Sequence, residues 1–236
     1  MIIFWRLLFG HFLADFTFQT NFINAWKRRS LKGLLVHCGM HPLFYLVLTW
    51  PYLDWHWVNT PWLRLSGWSC ILIIFVLHFL EDFWRIHTIE HYRTPDNTIY
   101  LLWDQVIHFA CLFVFLPIGL SDMSDGWVPE KWPVVGILAI GVTHFATVFI
   151  YFLEKDFFGG SYPGTDEKYL AILMRLVWGL CFLLPGSWWS VPVLLWGLNL
   201  IYLKRRRIID FSWFSINLGG VLCVVFGWLA RLVWYS

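Results

Sequence analysis

Apolar residues run in long blocks along this chain, and polar residues gather between them. Eight blocks stand out, at 2–19, 32–50, 67–84, 100–119, 134–153, 169–184, 188–203 and 212–234. Their lengths approach the roughly 20 mostly apolar residues that a helix needs to cross the hydrocarbon layer of a membrane. The sixth and seventh are short and meet at Pro185-Gly186, so a re-entrant pair is the alternative there. The pattern predicts an all-α, polytopic transmembrane helix bundle of about eight spans, with a range of six to eight. Residues 1–119 are expected to form a four-helix membrane core, and 120–236 to add further transmembrane helices to the same membrane domain. The connections at 51–66 and 120–133 carry Pro, Trp, Asp and Gly and read as short ordered caps. The first block contains Gly10, His11 and Asp15 and lacks a small-residue cleavage site, so it reads as a retained helix and not as a signal peptide.

Composition strengthens this picture. Of the residues, 59% are hydrophobic and 14% are charged, against roughly 25% charged in a soluble domain. Lipid must therefore be part of the solvent. The 18 Trp suit the two membrane interfaces, where a ring can be half wet. Five cysteines, an odd number without a CxxC pair, lie in apolar runs and argue against a disulfide framework or a thiolate metal site. They read as small buried hydrophobes.

Charge placement orients the bundle. Lys27, Arg28, Arg29 and Lys32 follow the first block, Arg85 and Arg93 the third, Lys155 and Lys168 the fifth, and the run Lys204 to Arg207 the seventh. These twelve charges fall in alternating connections, whereas the opposite connections hold Arg64 and Lys131. The positive-inside rule makes the rich side cytoplasmic and leaves both termini outside. The run at 204–207 reads as a topology determinant, with no nucleic-acid partner expected. No phosphate loop, dinucleotide fingerprint or Ser-His-Asp pattern is present, so no nucleotide cofactor is expected.

The chemistry lies in four pairs spaced i, i+4 on four successive blocks: His11 and Asp15, His37 and His41, His78 and Asp82, Asp104 and His108. Residues four apart share a helix face, so each pair aims two ligand atoms in one direction. In the expected topology all four pairs fall in the cytoplasmic half of the bilayer. An Asp at a helix centre costs about 2.5–3.5 kcal/mol on insertion scales. Three Asp and five His must therefore face one another, a cavity or an ion. Three readings stay open: a metal site, a metal-free polar hub, and a proton or ion path. Two divalent ions and one hydroxide would neutralise three aspartates, and His with Asp suits zinc, iron or manganese. An open position on such an ion lowers the pKa of bound water.

Gln19, one turn beyond Asp15, together with Glu81 and Gln105, is expected to support the pairs from behind, although Glu81 and Gln105 point to different faces. His87, Glu90 and His91 read as a wet helical end, His144 as a satisfied core histidine, and His56 as an interfacial residue beside Trp55 and Trp57.

The stretch Gly10-His11-Phe12-Leu13-Ala14-Asp15-Phe16-Thr17-Phe18-Gln19, followed by Lys27-Arg28-Arg29, resembles the opening of a bacterial membrane family, domain of unknown function 3307. His37 and His41, then His78-Phe79-Leu80-Glu81-Asp82, then Asp104-Gln105-Val106-Ile107-His108 fit it in order. The N-terminal 110 residues carry the specific likeness. Further on, Glu167-Lys168-Tyr169-Leu170 is similar to a Glu-Arg-x-Leu segment of longer members, while Leu198-Asn199-Leu200 stands where those members tend to have a Lys. The resemblance implies a multi-pass protein of the bacterial inner membrane with these His and Asp positions, and no established activity.

The expected function is a metal-binding membrane enzyme, a metal-dependent hydrolase acting on a lipid or other membrane-accessible substrate from the cytoplasmic side. All eight paired residues would be ligands of one or two divalent transition metal ions, with Asp104 as the alternative general base. The first rival is a cation or proton transporter, which the near absence of ionisable residues in the outer halves disfavours. The second is a non-catalytic subunit with partner membrane subunits, for which the Trp and Phe content is the cue.

Overall fold

The computed structural model describes residues 2–117 and 127–236. The chain divides into two compact units, Met1–Pro133 and Val134–Ser236. The boundary expected after residue 119 lies outside the described residues, as do residues 120–126 of the expected cap at 120–133.

The first unit is built from α1 (Ile2–Phe12), α2 (Asn21–Arg29), α3 (Leu31–Thr49), α4 (Gly67–Tyr92) and α5 (Thr98–Val114). A widened π-type turn, Leu13–Thr17, continues α1, closed by the Phe18 N–H donating to the Leu13 carbonyl at 2.8 Å. The chain leaves the helix there, so Gln19 does not lie one turn beyond Asp15 on the same helix as expected. Thr20 then caps α2, its hydroxyl accepting from the Ile23 N–H at 3.2 Å, and Ser30 caps α3 by accepting from the Gly33 N–H at 3.1 Å. A Cβ at Gly33 would stand 2.5 Å from the Trp26 backbone, so only glycine lets α2 fold back this closely on α3.

α3, α4 and α5 are polar on the inside and apolar on the outside. On α3 the buried face carries Leu34, His37, Cys38, His41 and Tyr45, while Leu35, Val36, Leu43 and Val47 are exposed. On α4 Ile71, Ile74, His78 and Asp82 are buried, and Leu72, Val76, Leu80 and Phe83 are exposed. Water would strip such an arrangement apart; lipid tails stabilise it by solvating the outer face.

Opposite α2, the connection at 51–66 forms a small antiparallel hairpin, β1 (His56–Asn59) with β2 (Arg64–Ser66). Buried Trp57 anchors it, donating to the Tyr52 carbonyl at 2.9 Å, and His56 is exposed as expected of an interfacial residue. Arg6, which the sequence reading passed over, is fully buried at this end. Its guanidinium donates to the Leu48 carbonyl at 3.1 Å and to the Val128 carbonyl. It thus satisfies backbone acceptors that lipid cannot.

The second unit holds most of α6 (Lys131–Ile140), a second π-type turn (Gly141–Phe145), α7 (Ala146–Phe158), α8 (Thr165–Cys181), α9 (Ser190–Arg205) and α10 (Trp213–Tyr235). His144 sits on that turn with Nδ1 3.2 Å from the Thr143 hydroxyl. Among the described residues, each of the eight apolar blocks is helical over most of its length. Among the described residues three helices, Leu31–Tyr52, Lys131–Phe158 and Trp213–Tyr235, are long and apolar enough to cross a membrane by length and composition. This marks the chain as a membrane protein. α5, α8 and α9 are shorter, at 17, 17 and 16 residues.

Candidate metal centre

α1, α3, α4 and α5 bring all four i, i+4 pairs to one buried place in the first unit. Asp15 lies at its middle. Its Oδ1 is 3.0 Å from His41 Nε2, 3.3 Å from His37 Nε2 and 4.0 Å from His78 Nε2. Asp15 sits on the π-type turn, where the extra residue per turn re-aims a side chain relative to a regular helix. Asp82 Oδ2 stands 3.2 Å from His37 Nε2 and 3.9 Å from His78 Nε2, so His37 lies between two carboxylates. The rings of His41 and His78 are 3.8 Å apart by centroid, and those of His78 and His108 are 4.2 Å apart.

These short separations are ion-pair contacts with poor hydrogen-bond geometry. His37 Nε2, His41 Nε2, His78 Nε2 and Asp15 Oδ1 are all buried without a hydrogen-bond partner. The donors and acceptors are close but aimed past one another. Two donors bound at about 2.1 Å to a common ion, at angles between square and tetrahedral, would themselves be about 3.0–3.4 Å apart. Asp15, His37, His41 and His78 each offer a ligand atom, all within 4.8 Å of one another. Glu81, Asp82, Asp104 and His108 form a second such group. The donor set could therefore hold a metal ion.

Glu81 and Gln105 belong to the cluster. The sequence placed them on different faces; the structure brings both inward, because 81 and 105 lie three residues from 78 and 108, and an i, i+3 neighbour stands only about 60° round the helix from its partner. Glu81 Oε2 is 2.9 Å from His108 Nε2. Gln105 Nε2 donates to Asp15 Oδ2 at 3.4 Å and to Asp104 Oδ2 at 3.3 Å. Two carboxylates fix that amide orientation, so Gln105 Oε1 accepts from His11 Nε2 at 3.2 Å. Gln19 does not join: its carboxamide oxygen is buried with no hydrogen bond.

Two residues escaped the sequence reading. Lys27 on α2 reaches Asp82 Oδ2 at 3.0 Å, with its side chain 12% exposed. Burial pulls this lysine toward neutrality, yet the carboxylate of Asp82, helped by Asp15 and Asp104, outweighs that pull and raises its pKa. Cys38, expected as a small hydrophobe, has its Sγ 3.9 Å from Asp82 Oδ2. Only Cys38 offered a signal, lying between two paired histidines. Lys27 had none, since it sits in what read as a loop.

The two ends of the cluster differ. One turn from His11, His41, His78 and His108, on the side away from α2, stand Leu7, Tyr45, Ile74 and Leu112, each at most 2% exposed. At the α2 end the groups are polar. Asp96 accepts from Arg28 at 3.0 Å and from Arg85 at 3.5 Å, tying α2 to α4 and its following loop. Beyond, the His87 and His91 rings stack at 4.1 Å on the exposed end of α4, consistent with a wet helical terminus.

Fold and site together define an all-helical membrane protein with a buried histidine–carboxylate centre, closed at one end. Residues 3–135 match the family described as protein of unknown function DUF3307, and the chain belongs to that family. The match spans the unit that houses the centre. Among curated proteins and among solved structures, nothing matches the chain.

Proposed function

We propose that the chain is a metal-dependent membrane hydrolase, opening to a lipid or other membrane-accessible substrate at the α2 end. The observation that carries this reading is the convergence of buried, unbonded His nitrogens and carboxylate oxygens from four helices, spaced as ligands of a shared ion. A structural hub would have used those atoms in hydrogen bonds, because an unsatisfied buried polar group costs about 1–3 kcal/mol each. Four carboxylates and the Lys27 ammonium leave a net formal charge of −3, the value that two divalent ions and one hydroxide would neutralise.

Within this reading Asp15, with His37, His41 and His78, forms one half of the ligand set, and Asp82 and His108 complete it. His11 moves from ligand to support, since its Nε2 donates to Gln105. The ions would supply Lewis acidity toward water and substrate. Asp104, less buried than Asp15 or Asp82, serves as general base: Gln105 steadies one of its oxygens and the other makes no hydrogen bond. Glu81 sets its carboxylate charge 2.9 Å from His108 Nε2. The buried layer of Leu7, Tyr45, Ile74 and Leu112 keeps water on one side, which supports a closed site over a transport path. We place eight spans, both termini outside and the α2 end in the cytoplasm of a bacterial inner membrane, on the Lys and Arg distribution.

Elemental analysis of the purified protein, beside Asp82→Asn and His41→Ala, tests this. Wild type is expected to carry stoichiometric transition metal and each variant clearly less. Wild type free of metal after growth with metals supplied sinks the enzyme reading; metal that survives both substitutions sinks the ligand assignment alone.

A further inference from the structure

The second unit carries its own buried cations. Lys168 and Arg175 lie two turns apart on one face of α8, and they are 8% and 7% exposed. One Arg175 nitrogen donates to the Thr147 hydroxyl on α7, while its Nε is buried without a hydrogen bond. Among the described residues no carboxylate lies within ion-pair distance of Arg175. Lys168 Nζ rests 5.5 Å from the Tyr162 ring and 5.7 Å from that of Tyr169. Both cations line a small, partly open cleft between α7, α8 and the start of α10, which also carries Glu154, Glu167, Ser212 and Ser215.

An uncompensated Arg in a membrane helix is expensive, and its retention marks a site with a missing counter-charge. Glu154 does not fill that role, because it accepts from the Ser212 hydroxyl instead. Ser212 in turn caps α10, accepting from the Ser215 N–H at 2.8 Å, so the positive end of that helix faces the same cleft. A guanidinium with an open N–H position, an ammonium, the Ser215 hydroxyl and a helix start together match a tetrahedral oxyanion.

We propose that this cleft binds a phosphate group, with Arg175 as its principal donor and Lys168 beside it. The inference rests on the membrane reading and is independent of the metal centre. In the proposed topology Lys168 belongs to the cytoplasmic side, where phospholipid headgroups present phosphate.

The full-length protein, delipidated in neutral detergent, is titrated with inorganic phosphate, short-chain phosphatidylglycerol and diacylglycerol, with binding read by native mass spectrometry and melting shift. Wild type should bind at least one of the two phosphate-bearing probes, and Arg175→Gln should weaken that binding about tenfold or more. Phosphatidylglycerol alone would identify a lipid headgroup site; competition by inorganic phosphate would show that the phosphate itself is recognised. Failure of both probes overturns the proposal. So does equal binding by Arg175→Gln, or diacylglycerol binding with the same sensitivity to Arg175. Should Arg175→Gln fail to fold, Lys168→Gln carries the same readouts, with a weakening of several-fold expected. Metal content is measured on the same samples, so loss of the metal reading and loss of this one are told apart.

Discussion

Lys27→Gln separates a metal centre from a polar hub, because the two readings give opposite signs. Lys27 Nζ lies 3.0 Å from Asp82 Oδ2, and the side chains are 12% and 7% exposed. Coulomb's law at that separation, with an effective dielectric constant of about 20, gives about 5 kcal/mol. Breaking one partner out of a buried pair costs about 3–5 kcal/mol in practice. Without metal, the variant is therefore expected to be less stable by about 3 kcal/mol or more. The same substitution removes the cation that competes for Asp82. If half of that competition is felt by an incoming divalent ion, its affinity rises about tenfold, since 1.4 kcal/mol is a factor of ten. The assay is a melting curve in detergent after chelator dialysis, repeated across a zinc or manganese titration, with calorimetry for the dissociation constant. Metal should restore more stability to Lys27→Gln than to wild type. A variant that melts lower and gains nothing extra from metal would refute the competition argument. One that melts like wild type without metal would refute the buried pair.

Other substitutions probe the surroundings of the site. Glu81→Gln removes the carboxylate charge 2.9 Å from His108 Nε2, and metal affinity should fall about 10–100-fold with little change in fold. Asp15→Asn removes the carboxylate that faces His37, His41 and His78 together; of the eight paired positions it should lose the most metal, as elemental analysis reads. Gly33→Ala places a Cβ 2.5 Å from the Trp26 backbone. It should cost about 1–3 kcal/mol and loosen α2, seen as faster proteolysis after Lys27 and Arg28. Gly10→Val sets a Cβ 2.9 Å from the Tyr45 ring and should lower the melting temperature while pushing α1 off α3.

The four pairs were legible because i, i+4 spacing puts two residues on one face whatever the helix does in space. Membrane character was legible because composition reports the solvent. Spacing says nothing of how helices turn toward each other, so Glu81 and Gln105, one position to the side of a pair, looked as if they pointed away. Nor does it say where a helix stops. The π-type turn at Leu13–Thr17 ends α1 early, takes Gln19 off that helix and leads into α2, which folds back on α3 with Gly33 permitting the approach.

Sequence alone thus determined an apolar-faced helical chain and the identity of eight inward side chains, both of which follow from periodicity and solvent. Tertiary structure alone decided which atoms meet. It set Lys27 against Asp82 across 55 residues, left the ligand atoms without hydrogen bonds, and sealed one end with Leu7, Tyr45, Ile74 and Leu112. The reason is physical: faces are fixed within a helix by its period, but contacts between helices depend on crossing, capping and close approach, which no single segment encodes.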